Sequence, residues 1–365
     1  MEQKTSSPLE FSQVLDTLKD PNKSLSARVV NRLSDLPESD LSAFAVMWQE
    51  IGENRKIQIL NTLTKRTGED TTVSYDDIAF QALKDPAENV KVNALHLLNE
   101  NNSKQLLGTL VDLISKESIK VKEAAIQSMG KYVLSGEMDT LPTDVYSAVK
   151  NQLVNILEDT KTSTHLRRRA LESLGYAGDP EIQEHISKAL ASTDPKWVAS
   201  ALLAMGRSAD ESWQRDILKH LNHENPEIQL QAVRAAGELE IAQARQPLTT
   251  LLTEEKADVD VLRAAVLALS QIGGGNARKT LEKLMQSPDS PIEAKFIEKA
   301  LENLELSEGF SPFGIMGIDD AEADEWEESE IVDEILRGEQ QDEDMDEDDE
   351  DLFLHVEDDI EDEED

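Results

Sequence analysis

LRRRALESLG, from Leu166 to Gly175, is the stretch that decides the fold. Leu166, Ala170, Leu171 and Leu174 stand at its first, fifth, sixth and ninth positions. Those positions share one face of a helix turning every 3.6 residues. The same pattern recurs as VKVNALHLLN from Val90, VKEAAIQSMG from Val121, WVASALLAMG from Trp197, IQLQAVRAAG from Ile228 and VLRAAVLALS from Val261. Weaker copies are LSARVVNRLS from Leu25, RKIQILNTLT from Arg55 and IEAKFIEKAL from Ile292. Their fifth residues are Val29, Ile59, Ala94, Ala125, Ala170, Ala201, Ala232, Ala265 and Phe296, at steps of 30, 35, 31, 45, 31, 31, 33 and 31. Nine copies at a near-constant step signify a repeat architecture.

The frequent alanine at position five predicts close approach of a neighbouring helix, which a bulkier side chain would hold off. Asp20-Pro21, Asp85-Pro86, Asp194-Pro195 and Asn225-Pro226 precede copies of the pattern. An Asp or Asn can accept from free N–H groups of a first turn, and proline at the first helical position sacrifices no hydrogen bond. Gly130, Gly175, Gly206 and Gly237 are expected to end the helices in the left-handed conformation. A second apolar stripe follows each copy, as in Ile182, Ile186 and Leu190, or Leu248, Leu251 and Leu252, or Leu281, Leu284 and Met285. The long step inserts residues between Gly130 and Leu166, where GEMDTLP (136–142) and TKTST (160–164) read as loops.

Each unit is thus a helix pair that cannot bury its own apolar face but can do so in a stack. The aspartate–proline start, the V-K/R-x-x-A-x-x-x-x-G core and the following helix resemble HEAT repeats, in particular the short HEAT-like repeats of the phycobilin-lyase type. The resemblance covers about residues 9 to 304. It implies an all-α, right-handed α-solenoid of about nine helix pairs. It also implies that basic residues at position two pair with acids of stacked units. Lys91, Lys122 and Arg167 fit that rule, and Val198, Gln229 and Leu262 depart from it. Positions three, four and seven, including Arg168, Arg169, Glu172, Leu203, Arg234 and Arg263, should then point outward on a concave face. Leu203 and Leu267 are unusually apolar for such sites and would otherwise pack against neighbouring units.

The organisation predicted is a solenoid over 1–304, an apolar Gly-rich linker or end cap over 305–318, and an acidic, mostly disordered tail over 319–365. The whole chain carries a net charge of −39. The tail holds 28 Asp or Glu against Arg337 alone, a net of −27, which leaves −12 for the first 318 residues. Such density repels itself and resists burial. Two apolar islands interrupt it: Trp326, Ile331, Val332, Ile335 and Leu336, then Leu352, Phe353, Leu354 and Val356. A purely solvating tail has no use for Trp and Phe, so the islands suggest contact with a basic or grooved surface. Phe310, Phe313, Ile315 and Met316 in the linker would cover the end of the last repeat or dock on another protein.

Little in the sequence suggests catalysis. The chain has no cysteine, which excludes thiolate chemistry and disulfides. Gly273 to Thr280 (GGGNARKT) imitates a phosphate-binding loop, but Arg278 replaces the glycine before the lysine and no strand precedes it. HLNHE (His220 to Glu224) has the order of no zinc motif and reads as a solvated loop. Arg167, Arg168 and Arg169 form a compact basic ridge, which reads as local ion pairs rather than a nucleic-acid grip on a chain so acidic. No cofactor, metal or catalytic residue is expected. The reading is a non-enzymatic protein–protein scaffold with a regulatory or partner-binding tail, its partner a protein of basic character. Its candidate contacts are Arg168, Arg169, Arg234, Arg263, Trp326, Ile331, Ile335, Leu336, Leu352 and Phe353. Alternatives are a chaperone for basic proteins, a nucleic-acid binder autoinhibited by its tail, and a bilin-lyase-like enzyme. The polar start (MEQKTSSPL) is not a secretory signal and no apolar run is long enough to span a membrane, so a cytoplasmic setting is expected.

Overall fold

The computed structural model describes residues 9–254, 257–286 and 291–309. Those residues are all-α, with no strand among them. The first four helix pairs are α1 (Phe11–Lys19) with α2 (Ala27–Asn31), α3 (Glu38–Trp48) with α4 (Glu53–Glu69), α5 (Asp76–Ala82) with α6 (Glu88–Leu97), and α7 (Lys104–Lys116) with α8 (Ile119–Glu137). Three more follow: α9 (Thr143–Glu158) with α10 (Thr164–Leu174), α11 (Pro180–Leu190) with α12 (Pro195–Arg207), and α13 (Gln214–Lys219) with α14 (Pro226–Glu238). The last are α15 (Arg245–Glu254) with α16 (Val259–Ile272) and α17 (Gly275–Met285) with α18 (Pro291–Gly309). Every copy of the sequence pattern falls on an even-numbered helix. The weak copy from Leu25 forms only the five-residue α2.

The chain divides into two compact units at Ala204 and Met205. In the first, Ile59, Ala94, Ala125, Ala170 and Ala201 are fully buried, which places position five at the contact between pattern helices. Polar side chains then tie the helices together. Arg55 donates to Leu18 O and Thr17 O at the end of α1 (3.0 and 2.9 Å). Lys131 donates to Leu98 O and Asn99 O just past α6 (2.5 and 3.1 Å). Cations on these terminal carbonyls satisfy acceptors that a helix end leaves open. Lys56 reaches forward to Asp85 (2.6 Å) and Lys91 to Glu117 (2.5 Å). Lys91 therefore pairs as the repeat resemblance implies, and Lys56 makes an equivalent bridge.

In the second unit Ala232, Ala265 and Leu281 are fully buried. Helices α14, α16 and α18 pack in succession, with α15 and α17 alongside. The caps follow the sequence. Asn225 accepts from Glu227 N at 2.9 Å ahead of α14, and Asp258 accepts from Asp260 N at 2.9 Å ahead of α16. In the first unit Asp194 does the same for Lys196 N at 3.0 Å. Asp20 and Asp85 instead close turns that precede their helices, accepting from Asn22 N and Ala87 N.

Two expectations are corrected. None of the four pattern glycines adopts a left-handed cap; positive φ among glycines occurs at Gly273 and Gly274, in the turn between α16 and α17. The pattern glycines serve helix approach. A Cβ on Gly175 would stand 2.7 Å from Ala204 Cα, one on Gly206 2.8 Å from Ala235 Cα, and one on Gly237 2.8 Å from Ala268 Cα. Glycine at position ten thus meets the small residue at position eight of the next copy. The inserted residues, too, extend helices more than loops: α8 has 19 residues and α9 has 16, and Gly136 and Glu137 lie within α8.

Candidate functional site

The arginine ridge does not face outward. Ser163 caps α10 by accepting from Leu166 N, which starts the helix so that three arginines follow one another around it. Arg167 donates to Leu157 O (2.7 Å) and lies 5.6 Å over the Trp197 ring. Arg168, expected to point outward, is 5 % exposed and donates to Lys196 O and Ser200 Oγ, each at 3.2 Å. Glu172, expected outward as well, is 3 % exposed and accepts from Ser200 Oγ at 2.7 Å. Arg169 pairs with Glu172 at 2.6 Å and comes within 3.6 Å of Glu123. The physical reason is reach. A long guanidinium stem at position three or four spans the gap between helices, and its five donors find acceptors there. The ridge is a polar weld joining α8, α10 and α12.

A pocket of about 430 Å³ opens beside it, lined in part by Glu158, Arg167, His185, Lys188 and Trp197. The ligating atoms of Glu158, Glu181 and His185 lie within 4.8 Å of one another, with His185 Nε2 3.5 Å from Glu158. This set could hold a divalent cation. Glu181 and His185 share a helix face at i,i+4, a signal the sequence reading passed over. Both glutamates are exposed, and Arg167 and Lys188 line the same pocket, so a cation there would meet two positive charges. His220 and His223 stack at 5.9 Å, and their Nδ1 atoms contact the local backbone at Asp216 O and Asn225 N.

The second unit carries the other two candidate arginines together. A groove of about 430 Å³ runs across α14, α16 and α18, and Arg234, Glu238, Arg263, Leu267, Phe296 and Asn303 line it. Arg234 and Arg263 are exposed and Phe296 is half-buried. Leu267, flagged by the sequence as apolar for its position, is 42 % exposed, whereas Leu203 is half-buried. Arg263 faces Asp260 at 3.6 Å. Glu238 is an exposed residue whose carboxylate lies over Gly206, where no side chain intervenes. Burial of that end raises its pKa, and Arg207 and Arg234 oppose the rise. The groove therefore offers two guanidinium groups and two apolar contacts on three adjacent helices. Trp326, Ile331, Ile335, Leu336, Leu352 and Phe353, like the linker residues Phe310, Phe313, Ile315 and Met316, lie outside the described residues.

The family model for HEAT repeats matches residues 214–302, which contain every lining residue of this groove named above except Asn303, and the model for the PBS lyase HEAT-like repeat matches 166–192. Both matched segments are similar to HEAT repeats. Comparison with curated proteins returned no match. Among solved structures, a designed armadillo repeat protein is 22% identical with a TM-score of 0.33, covering 54% of this chain and 99% of its own. Human deoxyhypusine hydroxylase in complex with glycerol is 15% identical with a TM-score of 0.28, covering 81% of this chain and 96% of its own. Yeast importin-beta is 14% identical with a TM-score of 0.33, covering 80% of this chain and 41% of its own. These similarities concern the repeat fold alone; the chemistry of this chain has to be read from its own residues.

Proposed function

We propose that the chain is a non-enzymatic scaffold that binds a partner protein through the even-numbered helices of its second unit. The observation that carries this reading is the groove in which Arg234, Arg263, Leu267 and Phe296 converge from three successive HEAT helices. Repeat solenoids use extended surfaces for binding, and arginine beside an apolar or aromatic contact is the composition of an interface centre. The acidic tail adds a second contact or tunes the first, and its charge suits a partner of basic character. Internal pairing of the arginine ridge speaks against nucleic-acid binding, because counterion release needs phosphates to reach the cations. The expected setting is cytoplasmic; among the described residues no helix is long and apolar enough to cross a membrane. Affinity capture from the native host tests the proposal, with the parent chain and an Arg234→Glu/Arg263→Glu variant as baits. A protein held by the parent and lost by the variant is expected. Identical captured sets would refute the groove as the binding face.

A further inference from the structure

We infer that the groove across α14, α16 and α18 is a docking site for this chain's own acidic segment around Trp326, which rests on the reading of that groove as the binding face. Three observations select this occupant. The first is connectivity. Helix α18 forms one wall of the groove through Phe296 and Asn303, and it ends at Gly309. The 17 residues from Gly309 to Trp326 can extend about 55–60 Å. Asn303 sits only about 9 Å along the helix axis from its end. A short tether of this kind holds the segment near the groove at an effective concentration on the order of millimolar. Even a weak intrinsic contact is then mostly formed.

The second is chemical match. The segment from Asp324 to Gly338 alternates carboxylates with Trp326, Ile331, Val332, Ile335 and Leu336. The groove alternates exposed guanidinium groups with Leu267 and Phe296. The third is charge balance. Arg234 and Arg263 are offset by Glu238 and Asp260, so the lining as a whole is close to neutral. Electrostatics alone would not hold a strongly acidic peptide there. The apolar anchors must contribute, and of the two acidic stretches that carry aromatic and branched residues, the one around Trp326 is nearer in sequence to the end of α18 than the one around Phe353. Docking of this kind competes with a partner protein for one face, so the tail acts as a built-in competitor.

The test uses the full chain with a photo-crosslinking benzoylphenylalanine in place of Trp326. Crosslinked peptides should map to α14, α16 and α18, chiefly around Leu267 and Phe296. The yield should fall about tenfold in Arg234→Glu/Arg263→Glu and in Leu267→Asp, which alter exposed residues and should leave the melting temperature unchanged. Crosslinks elsewhere on the chain, or none in a folded sample, would overturn the inference. Crosslinks only between isotopically light and heavy chains in a mixture would also overturn it and assign the groove to a second copy. Failure here is separable from failure of the scaffold reading. Partner capture that depends on Arg234 and Arg263 without any tail crosslink leaves the scaffold standing. Groove crosslinks with unchanged capture leave the tail contact and remove the scaffold.

Discussion

Asp85 is 1 % exposed and accepts from Lys56 Nζ at 2.6 Å, Trp48 Nε1 at 3.0 Å and Ala87 N at 3.0 Å. Burial pushes its carboxyl upward, and the bonds from Lys56, the Ala87 N–H and Trp48 more than offset that, holding it below the usual range. Lys56→Met would strand this carboxylate and should cost about 3–5 kcal/mol in denaturant melts. Lys116→Met, at an exposed pair with Asp112, should cost about 0–1 kcal/mol. Equal effects would show that Asp85 is not buried as described. Lys131 gives the pH dependence. Burial pulls its pKa down to about 8, against the opposing pull of Glu100 and Asp76. The unfolded chain therefore binds more protons between that value and the ordinary lysine range, and this residue makes stability rise with pH there. The melting temperature of the parent relative to Lys131→Met should increase from about pH 7.5 to about pH 9.5; a constant difference would reject the shift. At this scale the sequence disclosed Lys91 as a bridging cation, because position two lies beside the next repeat. It misplaced Arg168, Arg169 and Glu172, because residue spacing gives the direction of Cα–Cβ and not where a long side chain ends.

Between elements, the decisive contact is glycine at position ten against a small residue at position eight of the following copy. Gly206→Ala gains about 1 kcal/mol of helix propensity. It also drives a methyl to 2.8 Å from Ala235 Cα, where backbone must move. Overpacking of this kind costs about 1–3 kcal/mol, so the net effect should be destabilising. Gly108 in α7 has nothing within 4 Å of its missing Cβ, and Gly108→Ala should stabilise by up to about 1 kcal/mol. Opposite signs in thermal melts are the expected result; the same sign for both would remove the close-approach account. The contact was half legible. Ser173, Ala204, Ala235 and Ala268 stand in the copies at position eight, but glycine after an apolar run also reads as a helix end, and only the neighbouring helix decides between the two. The lengthened α8 and α9 were hidden for a related reason. Gly136 and Pro142 look like loop punctuation, yet the glycine is held in the helix against the Tyr146 ring.

On the scale of the whole molecule, nine pattern copies were readable because a stacked repeat writes the same burial requirement again and again. Binding residues obey no such repetition, which is why two of four candidate arginines proved to be internal fastenings. The glycine contact has one more consequence. Helices α10, α12 and α14 each present a small residue (Ser173, Ala204 or Ala235) to the copy before and a glycine (Gly175, Gly206 or Gly237) to the copy after, so these copies are interchangeable parts. Excising residues 207–237 would bring Gly206 opposite Ala268, the same kind of fit it now makes with Ala235. Such a shortened chain should still melt cooperatively, with helical circular dichroism reduced only in proportion to its length. A non-cooperative melt would show that the copies have diverged too far to be spliced. If they have not, the length of this chain is an adjustable ruler, set by how many identical joints were duplicated.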